Sequence, residues 1–71
     1  MNLSEAILTL HAREQLLARG MDEAPVRLTL EKPDGVSPVR PGRVVAQKLF
    51  DKHLLRVFVD IDRTPPEVVT A

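Results

Sequence analysis

The spacing of apolar residues changes near Pro33. Before it, Leu3, Ala6, Ile7, Leu10 and Leu17 recur at helical intervals, with Ala12, Leu16 and Ala18 widening the stripe. This pattern predicts a helix over about 4–19. Asn2 or Ser4 can cap its start, since a side-chain oxygen there accepts one of the unpaired amides of the first turn. Gly20 is the natural stop, and Arg19 suits the negative end of the helix dipole. Residues 3–8 also read as an extended lead-in, in which case Thr9 is the cap.

Met21–Lys32 has two readings. Asp22 as cap, Glu23 in the first turn and an early Pro25 fit a helix over 23–31. The alternation of Val26, Leu28 and Leu30 fits a strand, although Pro25 sits poorly in a central one. The helix is the favoured reading. Pro33-Asp34-Gly35 is a turn, and Pro38, Pro41 and Gly42 make residues 36–42 a loop or a ragged edge.

From Arg43 the period is that of strands. Strands are predicted over about 43–50, 54–61 and 67–70, with Asp51-Lys52-His53 as a hairpin connection and 62–66 as a turn. The predicted fold is α+β in a single domain, 1–71: two N-terminal helices packed on a three-stranded antiparallel β-meander. In the middle strand, Leu55, Val57, Val59 and Ile61 share the face that meets the helices. Leu54, Arg56, Phe58 and Asp60 share the other, which is either a polar sheet face with one stray ring or a binding face.

Composition narrows the setting. The chain has 71 residues, no cysteine and only two aromatics, both Phe. Disulfides and Cys-based zinc sites are excluded, and His11 and His53 have no second ligand at metal-site spacing. No metal or cofactor is therefore expected. A core built from Leu, Val and Ile in so short a chain suggests that a partner chain completes the burial. No apolar run approaches the roughly 20 residues of a membrane span, and the start lacks the pattern of a signal peptide. A cytoplasmic protein is expected.

The zero net charge conceals an asymmetry. Residues 1–35 carry four basic and six acidic side chains, and residues 36–71 carry six basic and four acidic. Within 40–56, Arg40, Arg43, Lys48, Lys52 and Arg56 face Asp51 alone. Such a stripe either binds phosphates or acidic partners, or guards a sheet edge against unwanted pairing. No Gly-rich phosphate loop, nucleophile elbow or metalloprotease motif is present. The remaining chemistry is His with Arg: imidazole transfers protons near neutral pH, and guanidinium holds phosphate. His11 is either a helix-face histidine bonded to a neighbour or a functional imidazole at a cleft. His53 reads as a solvated turn residue.

The run His11-Ala12-Arg13-Glu14-Gln15-Leu16-Leu17-Ala18-Arg19-Gly20-Met21 resembles the opening signature of a small bacterial family known as a domain of unknown function. Asp22-Glu23, Val26, Glu31-Lys32-Pro33-Asp34, Leu55-Arg56-Val57-Phe58-Val59 and Val68-Val69-Thr70 follow in the order of that pattern. Gln15 departs from it, standing where the family has Arg, and the pattern continues past Ala71 with a Tyr and a short basic tail.

The resemblance implies two helices followed by three strands, in the manner of the RelE, ParE and BrnT toxins of type II toxin–antitoxin systems. Many of those act as ribonucleases neutralised by a small antitoxin. Carried over by position, His11 would transfer protons, with Arg56 and Thr70 beside it in a catalytic set. Arg19 and Arg56 would hold phosphate; beside that carry-over, Gln15 and Arg43 are further candidates, with Arg19, for binding substrate. The expected function is a toxin-like protein, either a metal-independent RNA-cleaving toxin or an inactive relative, with RNA as substrate and a small antitoxin or a second copy as partner. The alternative is a non-catalytic protein–protein interaction domain using the Arg56–Phe58–Asp60 face.

Overall fold

The structure is a computed structural model, and it describes residues 3–70. A short 3-10 turn, Leu3–Glu5, leads into strand β1, Ile7–Leu8. Helix α1, Leu10–Ala18, and helix α2, Glu23–Glu31, follow. Four more strands complete the chain: β2, Gly35–Arg40; β3, Arg43–Phe50; β4, His53–Asp60; and β5, Glu67–Thr70. All five strands form one sheet in the order β1-β5-β4-β3-β2. Every pair is antiparallel except β1 with β5, which is parallel.

This corrects the three-stranded antiparallel meander. Two strands are hidden by residues that mislead a periodicity argument. Leu3 and Ala6 fit a helical stripe, but Leu3 is buried from a 3-10 turn and Ala6 from the residue that follows it, after which the chain runs extended. The Ile7 amide donates to the Pro66 carbonyl at 2.9 Å, and Ile7 and Leu8 pair with Glu67 and Val68. At the other end, Pro38 argues against a strand only where its missing N–H would be needed. Here it pairs with Val44 at the sheet edge, where the open side of the strand needs no donor.

Helix α1 therefore starts at Leu10, not near residue 4. Thr9 is its cap: the Thr9 hydroxyl accepts from the Ala12 amide at 3.1 Å. The same hydroxyl donates to the Val68 carbonyl at 3.4 Å, tying the helix to β5. Ser4 lies in the 3-10 turn, and the Asn2 alternative falls outside the described residues. The later start changes which face is buried. Ala12 and Leu16 enter the core, whereas Leu10 and Leu17 are 74% and 78% exposed. The helix ends with Arg19 as C-cap and Gly20 in the left-handed region at φ 67°.

Helix α2 occupies the span expected for it. Asp22 holds the cap position without a side-chain cap bond. Val26 and Leu30, four apart on one face, are fully buried against β3 and β4. Thr29 is buried beside them and donates to the Pro25 carbonyl at 2.8 Å, which satisfies its hydroxyl within the helix. From the opposite side of the core come Val44, Ala46, Val57, Val59 and Val68. The buried residues form one cluster between the helices and one sheet face.

Candidate functional site

The chemistry-bearing side chains lie where β4 outruns β5. Strand β4 pairs with β3 along its whole length, from Phe50↔His53 to Arg43↔Asp60. It pairs with β5 only over Phe58↔Thr70, Val59↔Val68 and Asp60↔Glu67, with a bulge between Phe58 and Val59. Beside the part of β4 that has no strand partner on this side among the described residues lies an open groove of about 410 Å³. Arg19 and Met21 line it from the end of α1, Leu54, Leu55, Arg56 and Phe58 from β4, and Thr70 from the end of β5.

Each side chain reaches the groove for a local reason. Gly20, by taking a positive φ, ends α1 and sets Arg19 and Met21 over the sheet. Strand alternation sends Leu54, Arg56 and Phe58 to the face opposite the buried Val57 and Val59. The bulge brings Thr70 opposite Phe58. Arg56 is exposed, and its Nε donates to Gln47 Oε1 at 3.2 Å across β3 and β4. That bond holds the planar guanidinium along the sheet. Two guanidinium groups, a hydroxyl and an apolar floor form a site that can take an extended anionic ligand.

The sequence-derived candidates divide. Arg19, Arg56 and Thr70 meet in the groove. His11 does not line it. It is exposed in the first turn of α1, eight residues before Arg19, or roughly 12 Å along the helix axis at a rise of 1.5 Å per residue. Gln15 stands between them on the same stripe without lining the groove, and its Oε1 is buried with no hydrogen-bond partner among the described residues. Arg43 is engaged elsewhere: its Nε donates to Asp60 Oδ1 at 2.7 Å and its second nitrogen to Oδ2 at 3.4 Å. The hydrogen bond between them raises the pKa of Arg43 and lowers that of Asp60, with burial opposing both shifts. Arg43 is thus part of a cross-strand ion pair, with Arg63 also near Asp60 at 4.0 Å. His53 is exposed and opens β4 rather than sitting in the turn, which Asp51 and Lys52 make alone.

Sequence reasoning does not single out Met21 or Leu55 as site residues, and it raises Leu54 only as part of the open face of β4. Alternation assigns Leu54 to the open face, but its place in the groove depends on how the end of α1, β4 and β5 come together, and no local pattern carries that information. Among the described residues no group of His, Cys, Asp and Glu could hold a metal ion, and no helix is long and apolar enough to cross a membrane.

Fold and site together define a small α+β domain: two helices on one face of a mixed five-stranded sheet, with an arginine-bearing groove at the exposed stretch of β4. The family described as Domain of unknown function (DUF4258) matches residues 8–71, nearly the whole chain, and the protein belongs to that family. No curated protein and no solved structure matches it.

Proposed function

We propose that the protein is a toxin-like component of a type II toxin–antitoxin system, a distant relative of the RelE, ParE and BrnT toxins, that engages the RNA backbone in the groove and is held in check by a small antitoxin. One observation carries this reading. Arg19, Arg56 and Thr70, chosen from the family-like signature and far apart in sequence, line the same groove. Guanidinium groups pair with phosphate oxygens through two parallel hydrogen bonds, and a hydroxyl can add a third.

The geometry favours RNA binding without cleavage. Cleavage of the backbone requires a group that accepts a proton from the attacking hydroxyl and one that donates to the leaving oxygen. None of the described residues lining the groove is a His, Asp or Glu. His11 stands two helical turns away. This supports the inactive-relative version of the toxin reading over the nuclease version.

The test combines binding with physiology. Single-stranded RNA is titrated into the purified protein, and the protein is expressed from an inducible promoter. Binding that weakens with salt and weakens again in Arg56→Ala, with intact RNA throughout and growth arrest that the same variant relieves, is the expected result. Absence of both RNA binding and growth arrest overturns the reading.

A further inference from the structure

The outer face of α1 carries a second surface, distinct from the groove's arginines. Leu10, Glu14 and Leu17 follow one another at i, i+4 and i+7, so they share one face, opposite the buried Ala12 and Leu16. The two leucines stand largely in solvent, about 10.5 Å apart along the axis at a rise of 1.5 Å per residue. Next to Leu17, where α1 turns into α2, lies a notch of about 280 Å³. Leu16, Leu17 and Met21 give it an apolar lining, and Arg13, Asp22 and Glu23 supply its charges. Exposed apolar side chains beside an apolar notch with a polar surround are the composition of an interaction surface.

The charges around this surface are unevenly satisfied. Arg13 Nη1 donates to Glu23 Oε2 at 3.3 Å, and Arg27 Nε stands 4.0 Å from Glu23 Oε1. Both cations are therefore engaged within the chain. Glu14 and Asp22 are exposed, and among the described residues neither has an ion-pair partner. Asp22 holds the cap position of α2 without a side-chain cap bond. Consecutive residues of a helix are about 100° apart, which sets Arg13 and Glu14 on opposite flanks of the Leu10–Leu17 line. The apolar strip thus runs between the Glu14 carboxylate on one side and the notch, with its Asp22 carboxylate, on the other.

We propose that this face docks an amphipathic helix of a partner protein whose apolar stripe is flanked by Lys or Arg. Apolar residues seven apart on such a helix match Leu10 and Leu17, and one between them enters the notch as an anchor. Basic neighbours of the stripe reach Glu14 and Asp22. Charge complementarity selects this occupant: an acidic helix would meet two carboxylates, with Arg13 and Arg27 already held by Glu23. A second copy of this chain fits less well. Antiparallel pairing of α1 about a two-fold axis puts like flanks side by side, so the Glu14 carboxylates of the two copies meet near the axis. The inference goes beyond the RNA reading and uses none of Arg19, Arg56 and Thr70.

The probe is an acetylated and amidated peptide, Ala-Lys-Leu-Ala-Lys-Leu-Leu-Lys-Ala-Leu-Lys-Ala, titrated into the uniformly labelled protein and followed by amide NMR. In a helix its leucines form one stripe with a lysine on either flank. The peptide is expected to shift the signals of Leu10, Glu14, Leu17 and Asp22. Its counterpart with every Lys replaced by Glu binds roughly tenfold more weakly, and Glu14→Lys removes that preference. Leu17→Ser weakens the lysine peptide roughly tenfold and leaves RNA titrations unchanged. Leu17 and Glu14 are both exposed, so the variants keep the fold.

Three outcomes overturn the proposal. One is the absence of shifts at these residues with the lysine peptide, or shifts confined to the open sheet face. Another is equal binding of the two peptides. The third is movement of the same signals with protein concentration when no peptide is present, which assigns the face to a second copy. Each leaves the RNA reading standing, because the groove's arginines take no part. Failure of RNA binding alone bears only on the RNA reading.

Discussion

Arg19, which closes the first helix, and Arg56, in the middle of β4, line one groove although the second helix and two strands separate them in the chain. Both are exposed, so replacing either removes charge from the groove with little effect on packing. Arg56→Ala or Arg19→Ala is expected to weaken RNA binding by about tenfold for each charge-assisted hydrogen bond to phosphate that it removes. His11→Ala is expected to leave binding unchanged. Titration of a labelled single-stranded RNA at fixed salt checks all three. Equal weakening in all three variants would contradict the placement of His11 outside the site.

The adjacent leucines of α1 should behave oppositely. Leu16 is 5% exposed and belongs to the core, whereas Leu17 is directed at solvent. Leu16→Ala is expected to cost about 2–5 kcal/mol through reduced burial and a residual cavity. Leu17→Ala should stay within about 0.5 kcal/mol of the parent protein. Urea unfolding followed by far-UV circular dichroism separates these values.

Gly42 is required where β2 turns into β3. Its φ is 84°, and a Cβ at this position would lie 2.9 Å from Asp62 Oδ2. Gly42→Ala is expected to destabilise by about 1–2 kcal/mol from the left-handed backbone alone, before any shift of Asp62. Gly20 also has a positive φ but open space around it, so Gly20→Ala carries the backbone cost without the clash. Thermal unfolding of the two variants should rank Gly42→Ala as the less stable.

The Arg43–Asp60 pair sets an acid dependence. The hydrogen bond from Arg43 holds the Asp60 carboxyl below its ordinary 3.8. A folded-state value below the unfolded one means that the unfolded chain takes up the proton first as pH falls. The stabilisation is therefore fully present above about 3.8 and disappears as pH drops through the lower folded-state value. Asp60→Asn should be less stable than the parent at neutral pH, and the gap should narrow in acid. Urea midpoints measured at descending pH test the sign: a gap that widens in acid would refute it.

Much of the fold is legible where one local rule dominates. The α2 span follows from Asp22, Glu23 and Pro25 at a helix start, and β3 and β4 from apolar alternation. The failures occur where neighbours overrule local pattern. Ile7 and Leu8 are a strand because Glu67 and Val68 supply a ladder for them, and Pro38 is tolerated because its strand lies at an edge. Arg43 has the chemistry of a ligand-binding cation, but the β3–β4 register sets Asp60 opposite it and the pair engage each other.

By itself, the sequence determined an α+β chain with two helices, the long hairpin of β3 and β4, the apolar faces of α2 and β4, and the positions of its arginines. Those properties depend on the intrinsic geometry of helix and strand, whose periods are written in neighbouring residues. The tertiary structure alone decided the two additional strands, the burial of Leu16 rather than Leu17, and the meeting of Arg19, Arg56 and Thr70 in one groove. Those depend on which distant backbone satisfies which hydrogen bonds, and strand pairing between remote segments leaves no periodic trace in either segment.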